Sequence, residues 1–312
     1  MGIHAYKSPE ADRLVDDAIR QIGAEIEALA IPHLGGVVLG GGYGRGEGGV
    51  FEDASSKSVR LSNDLDFYVI TEKDATQADI AAIAEALEPI GKAWSAKLGI
   101  DVDFCTPKTP WRIKHDQERL MIQELVHGYY DVAGKKGEEL FRDIDRREPS
   151  ALPWTEAVRF LVNRGAGILL CGEPGRDDVF ITRNINKCIL GMGDARLIAR
   201  HSYQWKAEDR AALLQDELYS KAVAWKFRPQ KEAVCSMETA RECWLAAYSE
   251  INAPCPRNLY NAVRWLVRRR SLGDLRTIGL PPVVRILRTM ADVMRKKQPF
   301  PPSLKKDWMI FN

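Results

Sequence analysis

Residues 39–67 read LGGGYGRGEGG, then an insert, then NDLDF. Glycines at 40, 41, 42, 44 and 46 leave backbone N–H groups open to an anion, because no Cβ stands in the way. A short helix starting near Tyr43 would add the positive end of its dipole, which favours phosphate. Downstream, Asp64 and Asp66 stand two apart, and on a strand both carboxylates leave the same face. Two bare carboxylates that close repel each other unless a cation joins them. A hard, oxygen-liganded ion such as Mg²⁺ suits that task and can bridge them to phosphate. A third carboxylate follows in the alternating run 100–105, where Asp101 and Asp103 share a face. Asp103 is the preferred third ligand, because it lies deeper in the run and Phe104 follows it as Phe67 follows Asp66; Asp101 is the alternative. Such a set would serve in-line displacement at phosphorus with two metal ions.

Gly41-Gly42-Tyr43-Gly44-Arg45-Gly46-Glu47 resembles the GSxARGE turn of the nucleotidyltransferase superfamily that includes DNA polymerase β and the antibiotic nucleotidyltransferases, with Gly42 where Ser often stands. Asn63-Asp64-Leu65-Asp66-Phe67 resembles the family's SDIDL element, with Asn for Ser. The likeness is close over residues 35–105 and holds only in outline beyond them. It implies metal ligation by Asp64, Asp66 and Asp103, and a Gly41–Gly42 turn holding the β- and γ-phosphates of an NTP. Arg45 would contact phosphate, or else pair with Glu47 inside the turn. Two Mg²⁺ ions are implied as cofactors, and ATP is the donor expected on frequency alone. One departure is length: 21 residues separate Gly42 from Asp64, about twice the spacing of compact members. The extra residues, about 50–61, are expected to form a flap from which Lys57 and Arg60 reach phosphate, or a plain solvated loop.

The elements that must hold these residues follow from periodicity. Leu14, Val15, Ala18, Ile19, Ile22, Ile26 and Leu29 recur at helical spacing and predict a helix over about 10–30. Val37, Val38 and Leu39 predict a buried strand running into the glycines, and 65–70 a second strand. Helical spacing returns over 75–98, and 100–105 is the third strand, closed by Pro107 and Pro110. No further strand is expected after residue 112. Helices are predicted at about 112–128, 154–170, 183–206, 208–226, 230–250, 256–270 and 282–297, with a domain boundary near Pro149–Pro153. The fold class is therefore α+β: a small mixed β-sheet nucleotidyltransferase domain over 1–150, with an N-terminal helix, followed by an all-α helical bundle over 151–312.

The helical half offers fewer chemical signals. QELVHGYYDVAG at 123–134 resembles the segment that follows the catalytic core in antibiotic nucleotidyltransferases, a helix leading to a loop on the nucleotide side. Lys187, Gly191 and Asp194 share a helical face at i, i+4 and i+7. Gly191 and Gly193 each cost about 1 kcal/mol of helix stability against Ala, so helices pack closely there or a ligand approaches the backbone. Lys187 is expected to reach the triphosphate and Asp194 to accept the acceptor's proton. Arg196 and His201 fit a loose pattern of RNA-cleaving helical domains, and the Trp residues at 205, 225, 244 and 265 read as core.

Charge is uneven along the chain. Of 45 Lys+Arg and 43 Asp+Glu, residues 1–150 hold 18 and 27, a net of −9, so residues 151–312 hold 27 and 16, a net of +11. An acidic half that holds metals joined to a basic half that meets phosphate is one reading of this. At 45% apolar and 28% charged residues a disordered or fibrous chain is excluded. Six cysteines without a CxxC pair argue against structural zinc and for reduced thiols, and no window of the sequence looks like a signal core or a membrane span; a cytoplasmic enzyme with no membrane partner is expected. The expected activity is transfer of an NMP from an NTP to an acceptor hydroxyl with release of pyrophosphate. The acceptor expected is a small molecule such as an aminoglycoside or sugar. The alternatives are a toxin-type enzyme acting on an RNA end or protein side chain, and a non-enzymatic nucleotide sensor.

Overall fold

The computed structural model describes residues 3–53, 58–252 and 280–311. The chain divides into two compact units, one of residues 1–147 with 227–229, the other of 148–226 with 230–312.

In the first unit the order is α1 (Pro9–Ala28), β1 (Leu34–Leu39), α2 (Gly41–Gly44), β2 (Val50–Asp53), β3 (Ser58–Leu61), β4 (Leu65–Thr71), α3 (Gln77–Leu98), β5 (Val102–Phe104), α4 (Pro110–His115), α5 (Leu120–His127), β6 (Tyr130–Gly134) and α6 (Gly137–Leu140). Four strands form one mixed sheet in the order β5-β4-β1-β6. Strand β1 runs antiparallel to β4 and β6, whereas β4 and β5 are parallel. The class expected from the sequence, mixed α+β with a small mixed sheet, is what the chain adopts.

Local chemistry sets the helix ends. Ser8 caps α1 by accepting the Ala11 N–H, and Pro9 opens the first turn. Thr76 and Asp79 form a capping box on α3, which Gly99 closes in the left-handed region. Side chains of the sheet alternate between two cores. Val37, Leu39, Leu65, Phe67 and Val69 pack with Val15, Ile22 and Ile26 of α1 and Ile83 and Leu87 of α3. Val38 and Ile70 pack on the other face with Ile113, Ile122 and Leu125 of α4 and α5. Helices therefore cover both faces of the sheet, and β4 must keep its register for either core to close.

In the first unit three expectations need correction, and in the second the single helix expected over 208–226 is two, broken where Gln215 takes up the left-handed conformation. The segment 130–134, read as loop, is strand β6, because residues 36–39 pair it into the sheet. The single helix over 112–128 is two short ones, α4 and α5, separated by the Asp116–Arg119 turn. Residues 50–53 and 58–61 are strands rather than a flap: β2 and β3 form a two-stranded ladder that pairs Val50 with Leu61, and both of those side chains are buried in the sheet core. Arg60 lies over the Phe51 ring, its guanidinium carbon 5.7 Å from the centroid; Lys57 lies outside the described residues.

The second unit is helical: α7 (Trp154–Leu170), α8 (Asp178–Ala199), α9 (Ala207–Leu214), α10 (Glu217–Phe227, its last residue grouped with the first unit), α11 (Met237–Asn252), α12 (Leu280–Arg295) and α13 (Pro302–Phe311). Trp244 of α11 is fully buried and donates its indole N–H to the Leu161 carbonyl of α7 at 2.8 Å. The helix expected at 256–270, with Cys255 and Trp265, lies outside the described residues. Among the described residues no helix is long and apolar enough to cross a membrane.

Candidate active site

The glycine turn connects β1 to β2, and four anchors fix it to its surroundings. Gly40 donates its N–H to the Asp66 carbonyl, and the Gly42 carbonyl accepts from both Arg45 and Glu47 N–H. The Tyr43 hydroxyl donates to the Gly49 carbonyl at 2.6 Å and accepts from Ser62 N–H at 3.1 Å. Asn63 accepts the Gly49 N–H with its side-chain oxygen at 2.8 Å. The last two anchors tie the turn to residues 62–63, immediately before Asp64. Tyr43 and Asn63, which carry this link, have no chemical signal of their own in the sequence.

Asp66 pairs in register with Asp103 across the parallel β4–β5 ladder. Their Cα atoms are therefore about 5 Å apart and their side chains leave the same face. Asp64 stands one residue before β4, half-buried, on the face opposite buried Leu65. Asp101 stands one residue before β5 and, like Asp103, is exposed; the register with Asp66 favours Asp103. Gly41 has φ +62° and sits against Asp66: a Cβ there would meet Oδ2 at 2.2 Å. Gly42 differs, since a Cβ on it would meet nothing nearer than 3.5 Å. The glycine turn and two of the three carboxylates thus come together, and Asp64 is tied to the turn through Tyr43 and Asn63.

Electrostatics around the face agree with this clustering. The Cys105 thiol is pushed up to about 11, by burial first and then by the charges of Asp66 and Asp103. Tyr68 is raised well above the usual phenol range by burial, with Cys105, Asp66 and Glu124 adding to it and Arg45 opposing. Tyr43 is pushed up to about 12, chiefly by burial, while the Asn63 and Ser62 N–H groups oppose and Asp64 adds. Each phenol and thiol stays neutral at neutral pH, so the carboxylates are the face's negative charge.

Arg45 is half-buried and engaged. Its Nη1 lies 3.1 Å from Glu124 Oε2 of α5, and its Nη2 lies 4.0 Å from Glu47 Oε2. The arrangement is the pairing inside the turn that the sequence offers as one alternative, with Glu124 of α5 as a further partner that no motif marks. The α2 helix is only four residues long, so the turn's capacity for an anion rests on its backbone and not on a helix dipole.

Among the described residues no three His, Cys, Asp or Glu side chains converge tightly enough to enclose an ion unaided. The donor set nonetheless has the right chemistry for a hard divalent cation: carboxylate oxygens only, on one sheet face, with the in-register pair at its centre. Beside Asp103, a groove of about 600 Å³ runs along α3 and β5, lined by Glu85, Glu88, Lys92 and Ser95.

The residues expected from the helical half belong to the second unit. Asp194 is buried, and its Oδ1 accepts from the Tyr219 hydroxyl at 2.6 Å and from Arg210 Nε at 2.9 Å. That carboxylate is already engaged inside the bundle, which suits a packing role better than the proton-accepting role expected for it. The two glycines near it make room for side chains: a Cβ at Gly191 would meet Arg164 Cγ at 2.6 Å, and one at Gly193 the Tyr219 ring at 2.2 Å. Lys187 is half-buried one turn before Gly191. Arg196 is paired with Glu250, and His201 Nδ1 faces the Ser150 carbonyl, so the loose Arg–His pattern brings no joint site.

No protein-family model matches the chain, and no curated protein is significantly similar to it.

Proposed function

We propose that the chain is a metal-dependent nucleotidyltransferase that moves an NMP, AMP in the simplest case, from an NTP to the hydroxyl of a small acceptor such as an aminoglycoside or another sugar. The acceptor oxygen forms the new bond to the α-phosphorus, the α–β anhydride breaks, and pyrophosphate leaves; the hydroxyl proton passes to solvent or a nearby carboxylate. Mg²⁺ held by Asp64, Asp66 and Asp103 would supply neutralisation of the phosphate oxygens and a lowered pKa for the attacking hydroxyl. The chain's own part is positional. The Gly41–Gly42 turn offers backbone N–H groups with no side chain in front of them. Tyr43 and Asn63 hold the approach to Asp64, and the Arg45–Glu124 pair fastens the turn to α5.

The observation that carries this reading is the in-register Asp66–Asp103 pair with Asp66 lodged against the Cβ-free edge of Gly41. Two like charges opposite each other on adjacent strands repel, and a cation held between them would remove that cost. The acid lining of the groove beside Asp103 favours an acceptor carrying amino groups over a phosphate backbone. The +11 charge of residues 151–312 supports the second reading, an RNA end or protein side chain as acceptor.

Incubating the full chain with α-labelled NTPs and Mg²⁺, and with separate pools of aminoglycosides and sugars, tRNA, and protein, tests both readings. Label is expected in the small-molecule pool, and Asp66→Asn should cut its transfer by at least about 100-fold, roughly 2.7 kcal/mol of barrier. Label in the tRNA or protein pool instead would overturn the small acceptor, and near-normal transfer by Asp66→Asn would overturn the site.

A further inference from the structure

The segment that precedes α1 lies along the glycine turn and meets it at two points. Ala5 bridges to Gly48, which donates its N–H to the His4 carbonyl at 3.0 Å while its own carbonyl accepts from Tyr6 at 2.9 Å. Five residues earlier in the turn, the Tyr43 carbonyl lies 3.3 Å from His4 Nδ1. The other ring nitrogen, Nε2, lies 2.8 Å from Asp16 Oδ1 of α1. The His4 side chain is fully buried, whereas Asp16 is more than half exposed. Asp12 of α1 accepts the His4 backbone N–H at 2.8 Å and is near enough for a charge on the ring to act on it. The Tyr130 ring of β6 packs against the imidazole, centroids 4.1 Å apart. Asp12, Asp16, Tyr43 and Tyr130 are thus the titratable groups facing His4. Burial raises both phenols, so neither ionises in the range where an imidazole does.

A carbonyl oxygen only accepts, and so does an ionised carboxylate. Both ring nitrogens of His4 can donate at once only as an imidazolium. A neutral ring must turn a lone pair toward one of its two acceptors. We infer that His4 is a proton-operated latch on the glycine turn: protonated, it ties Tyr43 of the turn to Asp16 of α1, and neutral, it lets one of the two go. Burying the charge costs stability, and the carboxylates of Asp16 and Asp12 offset that cost. The ring gains two acceptors on folding. The latch's contribution is therefore complete below the ordinary imidazole value of about 6.5 and is lost as pH rises and the folded ring gives up its proton. The latch stands on its own contacts and does not require that the turn binds a nucleotide, so its failure would leave the proposed reaction untouched. On that reading, it makes the turn's hold on phosphate weaker in alkali.

Ring ¹⁵N NMR and amide hydrogen exchange on the full chain, from about pH 5.5 to 9 across the imidazole range, test the latch. The His4 signals, assigned by their loss in His4→Phe, should show both nitrogens protonated at the acid end and one at the alkaline end. The Gly44, Glu47 and Gly48 amides donate to the carbonyls of Gly40, Gly42 and His4. Their protection should fall by at least about fivefold over the same transition, the effect of losing one hydrogen bond. In His4→Phe their protection should be low throughout and should not follow pH. Asp16→Asn changes an exposed side chain, so it keeps the test open should His4→Phe fail to fold; it should move the ring and turn transitions together to lower pH. A ring that is neutral at the acid end, turn protection that ignores the ring's transition, or transitions unmoved in Asp16→Asn would each overturn the latch.

Discussion

Gly41 and Gly42 are neighbours with opposite tolerances. Gly41 has φ +62° and no room for a Cβ beside Asp66. Gly41→Ala should therefore cost about 1–2 kcal/mol in backbone strain alone and displace the Asp66 carboxylate as well. Gly42 has a φ outside the left-handed region and its nearest neighbour is 3.5 Å from a built Cβ, so Gly42→Ser should change stability by less than about 0.5 kcal/mol. Urea unfolding of both variants checks the contrast, and equal losses would contradict it. Tyr43→Phe is a third residue-scale case: it removes the hydroxyl shared by the Gly49 carbonyl and the Ser62 N–H, but those two groups also bond each other at 3.1 Å, so the loss should be about 1 kcal/mol. The glycines and aspartates could be read from the sequence because residue type and spacing carry their chemistry. The links that hold them could not, since Tyr43 meets residues 62–63 only once β2 and β3 have closed between them.

Elements were legible in proportion to how much of their surface is buried in a regular rhythm. Helices α1 and α3 show an unbroken apolar stripe with clear caps, and the structure places them within two residues of the expected ends. Strand β6 escaped because only Ala133 of its five residues is fully buried, which leaves no alternation to detect. The N-terminal segment makes an element-scale prediction about pH. Burial raises the Asp12 carboxyl, but N–H groups of Ala5, His4 and Ile3 outweigh burial and hold it below the usual range. Its stabilisation is then complete above the ordinary carboxylate pKa of about 4 and is lost as pH falls through the lower folded value. The stability gap between wild type and Asp12→Ala should be constant from pH 5 to 7 and shrink below about pH 4. A gap that does not change with pH would contradict it. In the second unit, Asp194→Asn leaves buried Arg210 without its countercharge, so it should cost about 3 kcal/mol of stability. Turnover per folded molecule should hold; a fall in turnover at unchanged stability would restore the proton-accepting role.

At the scale of the whole molecule, the two halves differ by 20 charges, −9 against +11, and each unit has its own interior. A metal-bound nucleotide is still an anion, so its capture should weaken as salt rises and screening shortens to about 10 Å at 0.1 M. Lys187→Ala should both lower nucleotide affinity and flatten that salt dependence, whereas parallel curves for variant and wild type would remove Lys187 from capture. The two units meet in the chain at residues 147 and 148, close to the Pro149–Pro153 punctuation of the sequence, whereas the groove beside Asp103 was not legible, because most of its lining comes from α3, a segment that carries no motif. The central claim, that Asp64, Asp66 and Asp103 hold metal for a nucleotide's phosphates, can be tested without knowing the acceptor. The decisive measurement is the dissociation constant of a non-hydrolysable ATP analogue, taken in Mg²⁺ and in EDTA, for the wild type and Asp66→Asn. The wild type should bind at least tenfold tighter in Mg²⁺, about 1.4 kcal/mol, and Asp66→Asn should bind equally in both. Equal affinity with and without Mg²⁺ in the wild type, or full Mg²⁺ dependence surviving in Asp66→Asn, would contradict the account.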